Sequence, residues 1–216
     1  MAFRKLHRTF YLRPTRTVAR ELLGKYLIRR LGGDLLVGKI VEVEAYLHRG
    51  DPASHAYRGR TRRNEMMFRK GGRLYVYFTY GMHFCSNVVT EEDGKGCAVL
   101  LRAVEPVSGL AAMARGRRLA WADPTKLCSG PAKLCQAFGI RAKENGTDLC
   151  GGSIWIAEET GAAPARRMAR SSRIGITSGQ EHRWRYYLRD NPYVSRSGPE
   201  RKVPTRPAPR RSTKQK

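Results

Sequence analysis

The chain contains few acidic residues and no long apolar run. Among 216 residues, 18 Asp and Glu stand against 42 Lys and Arg, and the formal net charge is +24. No stretch approaches the roughly 18 consecutive apolar residues of a membrane-spanning helix, so we predict no membrane span. The excess of positive charge favours nucleic acid or an anionic membrane surface as partner, and disfavours a cationic macromolecule.

The cysteines show no arrangement that is typical of a metal site. There are five, an odd number, and no two of them form a Cys-x-x-Cys pair. Cys128 and Cys135 are seven positions apart, and no histidine lies at ligand spacing beside them. We therefore predict reduced and mostly buried thiols, with no metal and no other cofactor.

Apolar and polar residues alternate in the segment Val41-Glu42-Val43-Glu44-Ala45-Tyr46. This period is typical of a half-buried strand, and it places Glu42, Glu44 and Tyr46 on one face. A second segment, Leu74-Tyr75-Val76-Tyr77-Phe78-Thr79-Tyr80, is β-branched and aromatic and stops at Gly81. We expect Tyr80 to project from the bend at the end of that strand.

The remaining pattern predicts a single mixed α/β domain. Strands are expected at residues 25–31, 35–46, 73–80, 84–90, 97–105, 153–158, 173–177 and 184–188. Helices are expected from residue 15 to a left-handed cap at Gly24, and at residues 108–120 and 126–138, with a single helical turn after Asp51-Pro52 that carries His55. The predicted architecture is a curved, mainly antiparallel sheet flanked by helices.

Two segments read as linker and tail. Residues 161–170 read as linker, and residues 196–216 are rich in Pro, Arg, Lys, Ser and Thr. The second segment has too little apolar surface to fold. We therefore place the domain at residues 1–195 and a basic disordered tail at 196–216.

Several short motifs occur in order along the chain, namely Glu44-Ala45-Tyr46, Ser54-His55-Ala56, Tyr75-Val76-Tyr77 through Tyr80-Gly81-Met82, Asn87, Leu100-Leu101-Arg102 and Cys128-Ser129-Gly130-Pro131. Their order and spacing resemble the alkyladenine (3-methyladenine) DNA glycosylase family in its mammalian-type fold. The similarity runs from about Phe10 to Ser195. Each motif is weak alone, whereas the ordered set is specific.

The resemblance implies a monomeric DNA repair enzyme that flips alkylated or deaminated purines out of double-stranded DNA. It would hydrolyse the N-glycosidic bond and so start base excision repair, in the cytoplasm with the bacterial nucleoid or in a eukaryotic nucleus. The motifs contain no lysine that could form a Schiff base, which favours a monofunctional glycosylase without lyase activity.

The residue types fit that chemistry. Glu44 can take the proton of an attacking water and stabilise positive charge on the sugar. Tyr46, His55 and Tyr77 offer aromatic faces to a cationic alkylated purine. The resemblance further implies that Asn87 lies at the pocket floor, where it hinders the amino group of normal guanine, and that Arg102 lies near the catalytic water and Glu44. Glu42 belongs to no motif and is assigned a structural role.

The resemblance also implies how the target base would leave the stack. Tyr80 would fill the hole in the duplex through the minor groove, and Met82 and His83 would wedge against neighbouring base pairs. Phosphate contacts are expected from a basic loop and from a helix start, namely from Arg60, Arg62, Arg63, Ser129, Gly130 and Lys133. The loop can also be a solvated run of charges, and the helix start a plain cap. The family usually has proline where this chain has Arg62.

Two other functions fit the same residues. A non-catalytic nucleic-acid-binding protein would use the same basic surface and tyrosines, and an RNA-processing enzyme would use the same fold. A buried acid in a phosphate-binding cleft weakens binding, so Glu44 argues against the first. Competition between matched RNA and DNA duplexes separates the second.

Overall fold

A computed structural model describes residues 2–120, 123–161 and 167–195 of the chain. Its frame is an open nine-stranded sheet in which every described strand pair is antiparallel. The strands are β1 Phe3–Lys5, β2 Tyr26–Leu31, β3 Asp34–Tyr46, β4 Leu74–Thr79, β5 His83–Thr90, β6 Cys97–Ser108, β7 Ile154–Glu159, β8 Met168–Ser171 and β9 Arg185–Leu188. The predicted fold class is confirmed.

Five short α-helices accompany the sheet. They are α1 Arg8–Tyr11, α2 Thr15–Leu22, α3 Leu110–Gly116, α4 Pro124–Leu127 and α5 Pro131–Ala137, and single 3₁₀ turns lie at Glu65–Phe68 and Ala142–Glu144. In the described part of the chain, no helix is both long and apolar enough to cross a membrane.

The 13-residue strand β3 lies at the middle of the sheet. The strand order is β1-β7-β2-β3-β6-β5-β4, and β9 pairs with β3 at Glu42–Glu44, beyond the end of β2. Strand β6 runs along the other side of β3, with register shifts around Glu42. The carboxylates of β3 are thus enclosed by strands on both sides.

The half-buried pattern predicted for β3 is wrong, because both faces are buried. Val41, Val43 and Ala45 belong to the main apolar core, to which α2 contributes Val18 and Leu22. Glu42 and Glu44 are also fully buried on the opposite face. Alternation of apolar and carboxylate residues marked two buried surfaces of different chemistry rather than a core side and a solvent side.

The β2–β3 hairpin agrees with the sequence pattern, whereas α2 is capped by Leu23 rather than Gly24, whose N–H donates to the Ile40 carbonyl of β3. Gly24 follows α2 with φ of 82°, and Gly32 turns the hairpin with φ of 59°. Both angles lie in the left-handed region that glycine adopts without a Cβ clash. Met67 and Phe68 are buried.

Several predicted elements differ in the structure. Residues 173–177 form no strand, and residues 168–170 of the expected linker belong to β8. Pro106 does not end β6, because it pairs with Gly38 next to a register shift that accommodates the missing N–H. The Asp51 carboxylate accepts the Ala53 N–H at 3.2 Å and begins a series of turns rather than a helix.

Two predicted helices are shorter or divided. The helix predicted at 108–120 covers only Leu110–Gly116, and Met113 is its buried residue. The helix predicted at 126–138 is two helices, since Ser129 pairs with Ala103 as an isolated bridge between α4 and α5. The predicted disordered tail, residues 196–216, and residues 162–166 of the predicted linker lie outside the described residues.

Candidate active site

The carboxylate of Glu44 is held by three donors. Its Oε1 accepts the backbone N–H of Ile174 at 2.8 Å and lies 3.2 Å from a guanidinium nitrogen of Arg102. Its Oε2 accepts the hydroxyl of Tyr46 at 2.9 Å. Glu44 has no solvent exposure. A carboxylate offers about four acceptor sites, and Oε2 receives only one of these three contacts, so Oε2 keeps an acceptor position.

Arg102 bridges two buried carboxylates. Its Nε donates to Glu42 at 3.0 Å, while its terminal nitrogen faces Glu44. Burial works against the charged guanidinium, but the negative charges of Glu44 and Glu42 outweigh it and raise the pKa of Arg102. The site therefore contains a permanently charged arginine beside the carboxylate.

A cavity of about 450 Å³ adjoins this cluster. Its size is in the range of small-molecule sites. Tyr46, Arg102 and Ile174, which all contact Glu44, line it. The other lining residues are Pro52, Ala53, His55, Met67, Tyr75, Tyr77, Thr79, Tyr80, Cys85, Asn87, Leu100, Pro131, Gly175, Ile176, Thr177 and Ser178. The structure thus brings the predicted catalytic and pocket residues together.

An aromatic wall forms one side of the cavity. The rings of Tyr75 and Tyr77 stack with centroids 5.5 Å apart, and His55 meets Tyr77 edge-on at 4.5 Å. His55 Nδ1 lies 3.0 Å from the hydroxyl of Tyr75. Burial raises the pKa of Tyr75 to about 12 and raises that of Tyr77 further, so both phenols stay neutral.

His55 also favours its neutral form. His55 is exposed to solvent over part of its surface, but the protein around its imidazole removes enough water to lower the pKa below the ordinary 6.5, and the nearby positive charge of Arg63 lowers it further. At neutral pH the wall is therefore an uncharged aromatic surface. Such a surface suits a planar cationic ring better than a protonated histidine would.

Tyr46 connects the carboxylate with the cavity. Burial and the adjacent charge of Glu44 raise the pKa of its phenol well above the ordinary value, so the phenol remains a hydrogen-bond donor. The guanidinium of Arg173 lies 4.6 Å from its ring centroid. The orientation of this ring is thus fixed by a hydrogen bond at its tip and a cation at one face.

Asn87 lines the cavity and is nearly fully buried. Its side-chain amide donates to the carbonyl of Tyr75 at 3.2 Å. This bond holds the amide against strand β4, next to the aromatic wall. The remaining polar atoms of Asn87 are available to a ring in the cavity.

The β4–β5 hairpin presents apolar side chains to solvent. Tyr80 is 81% exposed and Met82 67% exposed, and His83 is the first residue of β5. The Met82 N–H donates to the Thr79 carbonyl at 3.2 Å, with φ of 51° at Tyr80 and 65° at Gly81. A tyrosine in the left-handed region is uncommon, and such backbone outliers cluster at functional sites.

The predicted phosphate contacts lie outside the cavity. Arg60, Arg62 and Arg63 are exposed on the loop that follows the His55 turns. At the start of α5, the Gly130 N–H donates to the Cys128 carbonyl at 3.1 Å, and Pro131 has no N–H. These two residues therefore offer no free donor, which leaves Ser129 and Lys133, both half-buried, as the side chains at that helix start.

Residues 174–178 form a cavity wall that the sequence analysis missed. Their segment had been predicted to be a strand, and no motif pointed to them. Tyr75, Cys85 and Leu100 also line the cavity but were not assigned to the pocket. A signal did exist for Tyr75, because it shares a strand face with Tyr77 at a spacing of two residues.

Within the described residues, no group of three or more His, Cys, Asp or Glu side chains could hold a metal ion. The chemistry that these side chains can supply is a carboxylate, a charged arginine and neutral aromatic faces. These groups can stack on a planar ring and can accept a proton beside it.

Comparison with known sequences identifies the family. The sequence model of the family "Methylpurine-DNA glycosylase (MPG)" matches residues 9–192. A protein of Carboxydothermus hydrogenoformans, assigned the name 3-methyladenine DNA glycosylase, is 49% identical over 193 residues, which are 88% of this chain and 98% of that protein. The chain therefore belongs to the methylpurine-DNA glycosylase family.

Relatives with the same assigned name occur in other bacteria. A protein of Chlorobium phaeobacteroides is 46% identical over 189 residues, covering 87% of this chain and 95% of the relative. One of Francisella tularensis is 44% identical over 183 residues, covering 82% and 92%. The match extends over most of both chains in each case, and family membership makes DNA the substrate and a glycosylase the class of enzyme.

Proposed function

We propose that this chain hydrolyses the N-glycosidic bond of alkylated purines that it flips out of duplex DNA. The observation that carries the proposal is the position of Glu44. Its carboxylate is fully buried, contacts three residues of an aromatic cavity, and keeps one acceptor position on Oε2. A water at that position could give its proton to Glu44 while it attacks the sugar.

The other groups around Glu44 suit the same step. Positive charge builds on the sugar as the glycosidic bond breaks, and the carboxylate stabilises that charge. The three donors keep the carboxylate in one orientation, and a fixed charge needs no reorganisation during the reaction. Arg102 lines the cavity on the side of Glu44, where it can help to orient the water.

The cavity favours a base that is already cationic. None of the described lining residues is an acid, and His55 is neutral at neutral pH because burial and Arg63 lower its pKa. An alkylated purine carries its own positive charge and leaves without protonation. A deaminated purine is neutral, so we propose that it is also accepted but is released more slowly.

The β4–β5 hairpin and the exposed basic loop after the His55 turns would bind the DNA. Tyr80, with Met82 and His83 beside it, would enter the minor groove and occupy the space left by the flipped nucleotide. Arg60, Arg62 and Arg63 would contact phosphates, together with Ser129 and Lys133 beside Gly130. The described cavity lining contains no lysine, which supports hydrolysis without a Schiff-base lyase step.

The test is base release from duplexes that carry one 3-methyladenine analogue, etheno-adenine or hypoxanthine, with abasic sites revealed by alkaline cleavage. Glu44→Gln keeps the shape of the side chain but cannot accept a proton, so turnover should fall by at least about 1,000-fold. Binding of lesion DNA should be kept or become tighter, because a negative charge near phosphates is removed.

Two outcomes would contradict the proposal. Undiminished base release by Glu44→Gln would exclude Glu44 as the catalytic base. Lesion binding without base release by the wild-type protein would favour a non-catalytic binding protein. The same assay with a matched RNA duplex as competitor separates an RNA-directed enzyme, since only such an enzyme would prefer the RNA.

A further inference from the structure

Glu42, two residues before Glu44, accepts four hydrogen bonds, a number that only Asp51 equals among the carboxylates of the described residues. Its Oε1 accepts Arg102 Nε at 3.0 Å, Arg185 Nε at 2.7 Å and the Ser195 hydroxyl at 2.8 Å. Its Oε2 accepts the Ser195 N–H at 2.7 Å. Glu42 has no solvent exposure, and its four hydrogen bonds fill the roughly four acceptor sites of a carboxylate. No acceptor site is left for a water, so any role of Glu42 in the reaction passes through another residue.

That other residue is Arg102. A guanidinium is a planar and rigid fork, so a bond that fixes Nε also fixes the direction of its terminal nitrogens. With Nε on Glu42 and one terminal nitrogen 3.5 Å from the Ser195 hydroxyl, the other terminal nitrogen of Arg102 lies 3.2 Å from Oε1 of Glu44. Oε2 of Glu44 is left to Tyr46 and to its one remaining acceptor position.

We propose that Glu42 is a positioning residue that holds Arg102 away from Oε2 of Glu44 and so keeps the acceptor position for water open. The inference rests on the proposed function of Glu44. Without the charge of Glu42, Arg102 would turn toward the remaining carboxylate and bind both of its oxygens, the geometry that arginine prefers with an unshared carboxylate. Arg102 would then occupy the acceptor position on Oε2 of Glu44 that the attacking water needs.

The hydrogen bonds to Glu42 extend to Ser195, the last described residue of the chain. Ser195 donates twice to Glu42, and its carbonyl accepts Arg185 at 3.2 Å. Ser195 is buried, although it lies only one residue before the basic segment 196–216. The position of Ser195 therefore supports the geometry of Arg102, both through Glu42 and through the Ser195 hydroxyl, which lies 3.5 Å from a terminal nitrogen of Arg102.

The test is Glu42→Gln, measured by single-turnover base release and by affinity for lesion DNA. The release rate should fall by about 10- to 100-fold, as for other residues that orient a catalytic group, with the affinity changed by less than about twofold. The matched control is Glu144→Gln, which breaks the buried ion pair with Arg29 (2.7 Å) away from the cavity. The control should lose stability but keep its release rate.

A purely structural Glu42 would give another result. Both variants would then lose thermal stability, and the release rate of the folded fraction would be unchanged in both. That outcome would overturn the inference while leaving the proposed function intact. If the wild-type protein releases no base from any lesion, the proposed function fails instead, so the two failures can be told apart.

A second variant covers the case in which Glu42→Gln does not fold. Ser195→Ala removes one donor to Glu42 and keeps the backbone donor. The release rate should fall by about two- to fivefold, the effect of one hydrogen bond, and Ser195→Thr, which keeps the hydroxyl, should restore it. Equal release rates for Ser195→Ala and the wild-type protein would contradict the proposal that the hydrogen bonds of Glu42 position Arg102.

Discussion

Arg173 is clamped to Asp51 by two hydrogen bonds of 2.7 and 2.6 Å, and neither side chain is exposed to solvent. The same guanidinium donates to the carbonyl of Ala45 at 2.9 Å. Arg173 directly precedes the cavity wall 174–178, and Asp51 directly precedes the turns that carry His55. One ion pair therefore holds together two walls of the cavity that are distant in sequence.

We predict that Asp51→Asn lowers the free energy of unfolding by about 3 kcal/mol, because it leaves the Arg173 charge buried without its partner. Urea denaturation measures this change. The matched control is Glu65→Gln, which removes an exposed pair with Arg69 at i,i+4 spacing and should cost less than about 0.5 kcal/mol. Equal effects of the two substitutions would show that the buried ion pair contributes no more to the free energy of unfolding than the exposed one.

The Asp51–Arg173 pair also shows what the sequence could predict and what it could not. The strand pattern, the Glu44 and Tyr46 face and the exposed Tyr80 hairpin all depend on residues near in sequence, whose spacing fixes their relative positions. The partner of Asp51 is 122 residues away. No local period or turn signal marks such a contact, so the wall at 174–178 was predicted to be an ordinary strand.

The burial of charged side chains was the second feature that could not be predicted from the sequence. Alternation along β3 correctly placed Glu42 and Glu44 on one face, but a carboxylate in a strand is ordinarily assigned to solvent. Here Arg102 and Arg185 arrive from β6 and β9 and make burial of both acids possible. That face is covered by β9, which pairs with β3 although it is distant in sequence, and by Ser195. Neither contact can be predicted from the local sequence.

We predict that His55 titrates below 6.5 in the folded protein, because burial and, to a smaller extent, Arg63 oppose its charged form. NMR titration of the imidazole resonances measures its pKa. Arg63→Ala should raise the pKa but leave it below 6.5, since burial is the larger cause. A titration at or above 6.5 would contradict the neutral aromatic wall.

The same shift has a consequence for stability. Below pH 6.5 the unfolded chain binds a proton at His55 that the folded chain resists, so the free energy of unfolding falls as the pH falls toward the folded pKa. Above 6.5 both states are neutral at this residue and the contribution is complete. His55→Gln should therefore reduce the acid sensitivity of unfolding in this pH range.

We predict that Tyr80→Ala slows base release from duplex DNA by about tenfold or more, since unstacking a nucleotide costs a few kcal/mol and the inserted ring offsets part of that cost. Tyr80 is 81% exposed and its removal leaves no internal cavity, so stability should change by less than about 0.5 kcal/mol. Single-turnover assays on one lesion in duplex and in single-stranded DNA measure the effect.

The single-stranded substrate decides between two roles of Tyr80. A ring that fills the hole in a duplex has nothing to fill in a single strand, so Tyr80→Ala should release the lesion there at the wild-type rate. A ring that holds the damaged base would be needed on both substrates. Leu35→Ala, an exposed apolar residue of the β2–β3 hairpin, is the control and should act on neither substrate. Equal slowing of release from both DNAs would assign Tyr80 to the cavity rather than to the duplex.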